Sequence, residues 1–346
     1  MRIAQVAPLY EPVPPVQYGG TERVVSYLTE ELVRRGHAVT LFASGDSQTS
    51  AELVASAPKA LRLDPDARDP LAPHILQLAQ VFERAREFDL IHCHVDYVAF
   101  PYARLVGTPT LHTLHGRLDL PHLGPVFRHF RDVPLVSISD AQREPLRPLG
   151  LDWVGTVPHG LPLERYPYSP RGGEYLAFLG RLSPEKRPDL AIEVARRVGR
   201  PLKLAAKVDP ADRSYFEREI EPRLDPPRIE WVGEIGDSAK ARFLGNAHAL
   251  LFPVDWPEPF GLVMIEALAC GTPVIARPCG AVPEVIVPGI GFLGDSVEDL
   301  VEAVKRLDTI DRAACRRHVE AQFTVPHMVD RYETIYRSLA ISDRAA

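Results

Sequence analysis

The chain has 346 residues, of which 45% are hydrophobic and 25% are charged, and its formal net charge is −6. These proportions are typical of a globular protein, and the length exceeds what one hydrophobic core usually supports, so we expect two domains. The negative charge gives no support to a nucleic-acid partner, and no apolar run reaches the roughly 18 to 20 residues of a membrane span.

The first half of the chain alternates strand patterns with helix patterns. "RIAQVAPL" predicts a strand, and the helix that follows has Val24, Val25, Leu28 and Leu32 on one apolar face. Gly36 ends this helix, and a second strand follows it. Between that strand and residue 88 only one helix is recognisable, around "HILQLAQVFERAREF". The remaining strand patterns are "HAVTLFAS", "DLIHCH", "TPTLHTLHG", "VPLVSIS" and "WVGTVPHG".

A run rich in proline, glycine and charge, "LPLERYPYSPRGGE", predicts a linker, after which the alternation restarts. We therefore predict an α/β protein with two doubly wound parallel sheets, one over residues 1–165 and one over 166–325. A ligand is expected in the cleft between them. The tail, 326–346, predicts a helix that packs on the second domain or crosses back to the first. The strands of the second half are "YLAFLGR", "LKLAAKV", "RIEWVGE", "HALLFP" and "TPVIA".

The four cysteines show no C-x-x-C spacing, which favours a reduced, cytoplasmic chain without structural zinc. The N-terminal "MRIAQVAPLYEP" is interpreted as a first strand, because its apolar part is too short for a signal peptide.

The turn "GRLSPEKRPDL" follows a strand at 175–179 and precedes a helix that Pro188 is expected to start. It places Arg181 and Lys186 at the carboxyl end of a parallel strand, where open α/β sheets bind ligands. A guanidinium fork with a nearby ammonium suits a diphosphate. From these residues alone, two solvated loop cations are an equally good interpretation.

The stretch "WPEPFGLVMIEALACGTPVIA" holds two acids, Glu258 and Glu266. The prolines on either side of Glu258 predict a loop there, and Glu266 is expected two turns into a helix that starts near Phe260. This helix N-terminus offers N–H groups to phosphate oxygens, and Gly261 allows close backbone approach. Glu266 is well suited to accept hydrogen bonds from a pair of ribose hydroxyls. Glu258, ahead of the helix, would reach hydroxyls on the far side of the phosphates. The alternative for Glu266 is an exposed helix acid, but its neighbours are apolar, and a buried acid needs partners.

Together, "GRLSPEKRPDLAI" and "EPFGLVMIEALACGTPVIA" resemble the retaining, nucleotide-sugar-dependent glycosyltransferases of family 4. That family has the GT-B architecture, in which two Rossmann-like domains face each other across a cleft. "YGGTERVVSYLTEELVRRGHAVTLFA" and "DLIHCHVD" also fit the family, so the resemblance covers nearly the whole chain. One departure is Arg187-Pro188, which stands where the family often has a glycine and adds a third cation beside Lys186.

The resemblance implies that Arg181 and Lys186 hold the diphosphate, that Glu266 holds the ribose, and that Glu258 binds hydroxyls of the transferred sugar. The backbone near the sugar and phosphates would come from Phe260, Gly261, Leu262 and Val263.

In the first domain, the resemblance implies that Gly19 and Gly20 form a loop facing the donor and that His115 lies beside the reacting sugar carbon. The alternative for His115 is a structural role at the end of a strand. His92 and His94 point to one face of a strand, and we interpret them as lining the cleft in preference to binding a metal. No metal is expected, because we find no Asp-x-Asp element of the kind that uses a divalent ion to hold a diphosphate, and the cations already suit a diphosphate.

The expected function is transfer of a hexose from a UDP- or GDP-linked donor to an unidentified saccharide, lipid or small-molecule acceptor, with retained configuration and no cofactor. A sugar phosphorylase, a nucleotide-sugar epimerase and a non-catalytic nucleotide-sugar-binding protein are the alternatives. A dinucleotide dehydrogenase is disfavoured, because "YGGTERV" lacks the G-x-G-x-x-G spacing. The segment 117–132 is interpreted as a solvated helix and loop, with an acceptor lid or a membrane-touching segment as alternatives.

Overall fold

The computed structural model describes residues 1–344, without the side chains of Ser238 and of residues 342–344. The chain forms two compact units. Unit 1 comprises Met1–Gly160 and the C-terminal segment from Val325, and unit 2 comprises Leu161–Thr324. The break after Gly160 lies slightly before the predicted boundary at residue 165. Residues 345 and 346 of the predicted tail lie outside the described part of the chain.

Unit 1 is built on a seven-stranded sheet in which every neighbouring pair is parallel, in the order β3-β2-β1-β4-β5-β6-β7. The central strands are buried almost continuously, as expected for a parallel sheet covered on both faces. The strands are β1 (Arg2–Val6), β2 (Ala38–Ser44), β3 (Glu52–Ala57), β4 (Leu90–Cys93), β5 (Thr110–Thr113), β6 (Leu135–Ser137) and β7 (Trp153–Thr156). The helices before residue 160 are α1 (Gly20–Arg34), α2 (Leu71–Glu83), α3 (Phe100–Ala103), α4 (Leu123–His129) and α5 (Asp140–Arg143).

Unit 2 has a six-stranded sheet, also parallel throughout, in the order β10-β9-β8-β11-β12-β13. Its strands are β8 (Leu176–Arg181), β9 (Leu202–Lys207), β10 (Ile229–Gly233), β11 (Ala249–Phe252), β12 (Val274–Ala276) and β13 (Gly291–Leu293). Its helices are α6 (Pro188–Val198), α7 (Arg213–Tyr215), α8 (Asp237–Gly245), α9 (Leu262–Ala269), α10 (Val282–Val285), α11 (Val297–Lys305) and α12 (Arg312–Gln322).

The last helix, α13 (Val325–Arg344), packs in unit 1 although it follows unit 2 in the chain. Tyr332 and Tyr336 on this helix are fully buried. Arg35, next to the end of α1, bonds to Asp330 at 2.6 Å and to Glu333 at 3.3 Å. Of the two placements considered for the tail, the structure has the one on the first domain.

Both sheets are doubly wound, as predicted, and each reverses its winding beside its first strand. In unit 2 the reversal lies between β8 and β11. Open parallel sheets bind ligands at the carboxyl ends of the strands that flank such a point. Here those ends are Arg181 and Phe252, and the loops that follow them carry Lys186 and Glu258. The topology of unit 2 therefore points to the same residues as the motifs.

Candidate active site

Glu258 lies in the loop between β11 and α9, as predicted, and is only 7% exposed. Its Oε2 accepts hydrogen bonds from Lys186 Nζ and, at 2.9 Å, from Trp256 Nε1. The Lys186 ammonium also lies 4.7 Å from the centre of the Trp256 ring, a cation–π contact. A buried carboxylate is tolerated because it is paired in this way. Within the described residues both bonds end on Oε2, so Oε1 is the oxygen left for a ligand.

Arg181 is the last residue of β8, so the strand extends two residues beyond its predicted end and the turn begins after Arg181. Its guanidinium donates to Glu185 Oε1 at 2.9 Å and lies 3.6 Å from Asp212 Oδ2. Burial raises the pKa of Asp212, and the Arg181 charge opposes that rise. Arg181 keeps about a quarter of its side chain exposed, at 27%. It is therefore oriented by acids yet accessible to an anion.

Arg187, the predicted third cation, is held by acids of its own. It has a left-handed backbone conformation, with φ of 54°, immediately before α6. Its guanidinium contacts Asp189 at 3.0 Å and Asp255 at 3.2 Å, and the Asp189 carboxylate raises the pKa of Arg187. Its charge is thus largely neutralised within the turn.

Glu266 lies one turn, not two, into α9, because the helix begins at Leu262 and not near Phe260. Gly261 precedes the helix with φ of 82°, a left-handed conformation that favours glycine. Glu266 is 3% exposed, and its Oε1 accepts from Tyr166 OH at 2.8 Å and from Lys240 Nζ at 2.7 Å. As with Glu258, the bonds given by the described residues end on one oxygen and leave Oε2 for a ligand.

Of the remaining predicted residues at α9, Phe260 is buried, whereas Leu262 and Val263 are partly accessible. Phe260 is 3% exposed and its ring lies 5.9 Å from that of Phe323 in an edge-on arrangement. Leu262 and Val263 are half-buried in the first turn of the helix. Their backbone N–H groups belong to the first turn, which has no intrahelical acceptors. The N-terminus of α9 can therefore donate to an anion.

Three side chains of this site, Tyr166, Lys240 and Trp256, were missed by the sequence analysis. Tyr166 falls in the predicted linker, where the Pro-Gly-rich composition hid a residue that is only 3% exposed. Lys240 lies on α8 and carries no motif of its own. The sequence did indicate that Glu266 is buried and therefore needs a hydrogen-bonding partner. Spacing along the sequence does not reveal that this partner is Lys240.

Gly280 supports the backbone of Glu258 and was also missed. Its φ is 60°, and a Cβ placed there would lie 2.4 Å from both the N and the O atoms of Glu258. The next residue, Ala281, donates its N–H to the Glu258 carbonyl at 2.8 Å. The position of the Glu258 loop thus depends on the absence of a side chain at residue 280.

This dependence predicts that Gly280→Ala displaces the Glu258 loop and lowers kcat, with a loss of stability of about 2–3 kcal/mol from strain and overlap. Gly199→Ala is the matched control, since Gly199 has a similar φ of 66° but open space around its Cβ. We expect that control to cost about 1 kcal/mol and to leave kcat unchanged. Thermal unfolding and donor turnover measure both effects, and equal behaviour of the two variants would refute the proposed support.

In unit 1, Gly19 and Gly20 lie where β1 leads into α1. Gly19 has φ of 136°, and a Cβ there would lie 2.7 Å from the Cβ of Pro15. Gly20 is the first residue of α1 and is exposed. The backbone immediately before α1 therefore has a conformation at Gly19 that residues other than glycine rarely adopt.

His115 follows β5 and its Nε2 lies 2.9 Å from His94 Nδ1. Its ring stacks on that of His159 at 5.4 Å. Although His115 keeps some solvent exposure, the surrounding residues desolvate it and lower its pKa to about 3. The imidazole is therefore neutral near pH 7.

The prediction that His92 and His94 line a cleft is wrong, because they are 0% and 2% exposed. Both nitrogens of each ring are engaged: those of His92 with Tyr336 and Thr113, and those of His94 with His115 and Gln5. These bonds make burial of two imidazoles tolerable. Across the described residues, no cluster of three or more His, Cys, Asp or Glu side chains is arranged to hold a metal ion.

The segment 117–132 contains α4 and turns its apolar residues inwards. Leu118, Leu123 and Phe127 belong to the core of unit 1, whereas Arg128 and Arg131 are exposed. This arrangement agrees with the interpretation as a solvated helix and loop. In the part of the chain that the structure describes, no helix combines the length and hydropathy needed to cross a bilayer.

Two family models match the chain, "Glycosyltransferase Family 4" over residues 18–165 and "Glycosyl transferases group 1" over residues 167–320. The chain is a family-4-like glycosyltransferase. The earlier resemblance is thereby confirmed, and this glycosyltransferase has the GT-B fold.

Its relatives include the phosphatidyl-myo-inositol mannosyltransferase of Mycobacterium leprae, which is 27% identical over 90% of this chain and 89% of the relative. The glycogen synthase of Mycobacterium tuberculosis is also 27% identical, over 93% of this chain and 89% of the relative. Among solved structures, Anabaena HepE in complex with UDP and glucose superposes with a TM-score of 0.78 at 17% identity, covering 98% of this chain and 100% of that one. At 17% identity, the similarity to HepE concerns the fold alone.

Proposed function

We propose that this glycosyltransferase moves a hexose from a nucleoside-diphosphate sugar to an acceptor hydroxyl, with retention of anomeric configuration and without a metal or cofactor. The observation that carries the proposal is in unit 2. Glu258 and Glu266 are buried, each is held by a cation through one oxygen, and each keeps the other oxygen for a ligand. Two separate hydroxyl-accepting positions with cations beside them suit a ribose and a sugar joined by a diphosphate.

The diphosphate is assigned to Arg181 and Lys186, with the N-terminus of α9 as a third source of hydrogen-bond donors. Departure of the nucleotide concentrates negative charge on the leaving phosphate. A guanidinium, an ammonium and fixed N–H groups stabilise that charge without reorganisation. We propose that these groups take the place that a divalent ion has in metal-dependent transferases.

Glu266 Oε2 is assigned to the ribose hydroxyls, and Glu258 Oε1 to hydroxyls of the transferred sugar. An ionised carboxylate only accepts hydrogen bonds, and a pair of sugar hydroxyls supplies donors. Lys186 bonds to Glu258, so a bound diphosphate would place one ammonium in contact with both the acid and the phosphate. This couples donor binding to the orientation of the sugar-side acid.

In the proposed reaction the bond between the sugar carbon and the phosphate oxygen breaks while the acceptor oxygen bonds to the same face of that carbon. The acceptor's proton goes to the leaving phosphate. Glu258 acts here as a positioning group and not as a nucleophile, which separates this chemistry from that of retaining hydrolases. His115 keeps the role that the family resemblance implies, beside the reacting carbon, as a neutral imidazole.

The named relatives differ in what they act on, a phosphatidylinositol lipid in one case and glycogen in the other. We therefore propose a donor class for this chain and leave the acceptor open. Neither a phosphorylase nor an epimerase is favoured, since inorganic phosphate would leave Glu266 without a ribose and no second acid/base group is found beside Glu258 within the described residues.

The direct test is turnover of UDP- and GDP-linked hexoses with water or simple sugars as acceptors, in the presence of a chelator. We expect slow release of the nucleoside diphosphate and, by NMR, a first-formed sugar product that keeps the donor's anomeric configuration. An inverted product would refute retention, and loss of turnover with the chelator would refute the metal-free mechanism.

Arg181→Ala should weaken binding of free nucleoside diphosphate by about 10- to 100-fold, since charge-assisted hydrogen bonds are worth roughly 1.5–3 kcal/mol. Isothermal titration measures the affinity. Arg197→Ala is the matched control, because Arg197 also pairs with glutamates in unit 2, at 2.7 Å and 2.6 Å, but on the exposed side of α6. Unchanged affinity in Arg181→Ala would remove Arg181 from the phosphate site.

A further inference from the structure

A connected set of hydrogen bonds inside unit 1 ends at His115. Gln5, on β1, donates from Nε2 to Tyr336 OH at 3.2 Å, and its Oε1 lies 2.9 Å from His94 Nε2. His94 follows β4, and its Nδ1 lies 2.9 Å from His115 Nε2. Because β4 lies between β1 and β5 in the sheet, residues at the ends of these strands are neighbours. Gln5, His94 and Tyr336 are buried.

The direction of each bond follows from which atoms can donate. The amide oxygen of Gln5 only accepts, so the proton of His94 is on Nε2. Burial lowers the pKa of His94 well below its usual value, so the ring is neutral and its Nδ1 has a lone pair. His94 Nδ1 must then accept, and His115 Nε2 must donate to it. A neutral His115 that carries its proton on Nε2 has none on Nδ1.

The opposite end of the set agrees with this direction. Tyr336 OH accepts from Gln5 and can donate its own proton to His92 Nδ1, which is 2.7 Å away. His92, also neutral because of burial, then donates from Nε2 to Thr113 Oγ1 at 2.7 Å. The bonds at Tyr336 are therefore consistent with a Gln5 amide whose nitrogen faces Tyr336 and whose oxygen faces His94.

We propose that Gln5 and His94 are positioning residues that hold His115 as the Nε2–H tautomer and leave its Nδ1 as a hydrogen-bond acceptor. Among the described residues, the buried Nδ1 of His115 has no hydrogen-bond partner. The group that satisfies it is a donor, and under the proposed function, on which this part rests, the donor is a hydroxyl of the substrate. Loss of a fixed tautomer costs catalytic histidines a large part of their effect in other enzymes.

The tautomer is measured on the wild-type chain, without substrate, by long-range proton–nitrogen correlation NMR of 15N-labelled histidines. His115→Gln assigns the resonances. We expect His115 Nε2 at the shift of a protonated nitrogen and Nδ1 at that of an unprotonated one. The reverse pattern, which follows if the Gln5 amide is turned over, or an average of the two would overturn the proposal.

Gln5→Leu tests the positioning role, because it removes the acceptor that keeps the proton of His94 on Nε2. We expect averaged His115 tautomers and a fall in kcat of about tenfold or more, with unchanged affinity for free nucleoside diphosphate. Tyr332→Phe is the matched control, since Tyr332 OH bonds to Thr113 at 3.0 Å, beyond the branch that leads to His115. We expect it to keep both the tautomer and kcat.

The two proposals fail in different ways. If wild-type His115 has the expected tautomer but no nucleotide sugar is turned over, the proposed function fails and the tautomer assignment stands. If turnover occurs but Gln5→Leu, still folded by circular dichroism, keeps both the single tautomer and kcat, the positioning role is overturned. Should Gln5→Leu not fold, the wild-type spectrum decides the tautomer.

Discussion

Replacing Glu258 with alanine is expected to lower kcat by about 10²- to 10³-fold and to leave the affinity for free nucleoside diphosphate unchanged or higher. The loss of rate follows from the proposed sugar-side position of Oε1, which a free nucleotide would not reach. The retained affinity follows from Lys186, which is paired with Glu258 in the wild-type chain and loses this partner in the variant, so its charge is available to the diphosphate.

Steady-state kinetics with a UDP- or GDP-linked hexose, together with titration of the free nucleotide, measure the two quantities separately. Glu298→Ala is the control, because Glu298 pairs with Arg197 on the surface of unit 2 and its side chain is 71% exposed. We expect kcat and the affinity for free nucleotide to be unchanged in that variant. A Glu258→Ala enzyme that loses nucleotide affinity as much as it loses rate would contradict the assignment of Glu258 to the sugar.

Glu266→Ala is expected to raise the KM for the donor by about 30- to 100-fold and to destabilise the fold by about 2–3 kcal/mol. Under the proposed assignment, the affinity for the donor falls because the ribose hydroxyls lose their acceptor. Stability falls because Lys240, whose side chain is 11% exposed, loses its partner at 2.7 Å, and among the described acids only Asp237 remains paired with it, at 3.5 Å. This cost is below the roughly 3–5 kcal/mol of a fully buried broken pair because Asp237 remains.

A second substitution separates the two effects. Lys240→Met in the Glu266→Ala background removes the unpaired charge, so we expect the melting temperature to recover while nucleotide affinity stays low. Inorganic pyrophosphate supplies a matched ligand, since it has the phosphates without the ribose. Its affinity should be unchanged by Glu266→Ala and reduced by Arg181→Ala. Equal losses for pyrophosphate and nucleotide in Glu266→Ala would contradict the ribose assignment.

The sequence predicted both parallel sheets because their central strands are uninterrupted apolar runs, which local pattern reveals directly. It missed the edge strands β3 and β13. β3 is half-exposed, with Ala and Ser among its six residues, and β13 has only three residues. Such strands are defined by their pairing with β2 and β12 and not by their own composition.

The candidate site was likewise predicted only in part. Glu258, Glu266, Arg181 and Lys186 were found because their spacing within two short segments is informative. Their partners were not, because Tyr166 and Lys240 contact Glu266 from elements that are distant in the chain. The prediction that His92 and His94 line a cleft was wrong for a related reason. Period-two alternation places two side chains on one face of a strand, but it does not reveal that Tyr336 of α13 covers His92 or that Gln5 and His115 enclose His94.

We propose that unit 2 binds a nucleoside diphosphate without a metal ion. Thermal unfolding of the purified protein with UDP, GDP, ADP or inorganic phosphate, each with a chelator, is the first measurement to make on this proposal. A ligand at about 100 times its dissociation constant adds roughly 2.7 kcal/mol, which visibly raises the midpoint. We expect a clear rise of the unfolding midpoint with one nucleoside diphosphate, whose base then identifies the donor class. No rise with any nucleotide, together with a rise for inorganic phosphate, would contradict it and favour a phosphorylase.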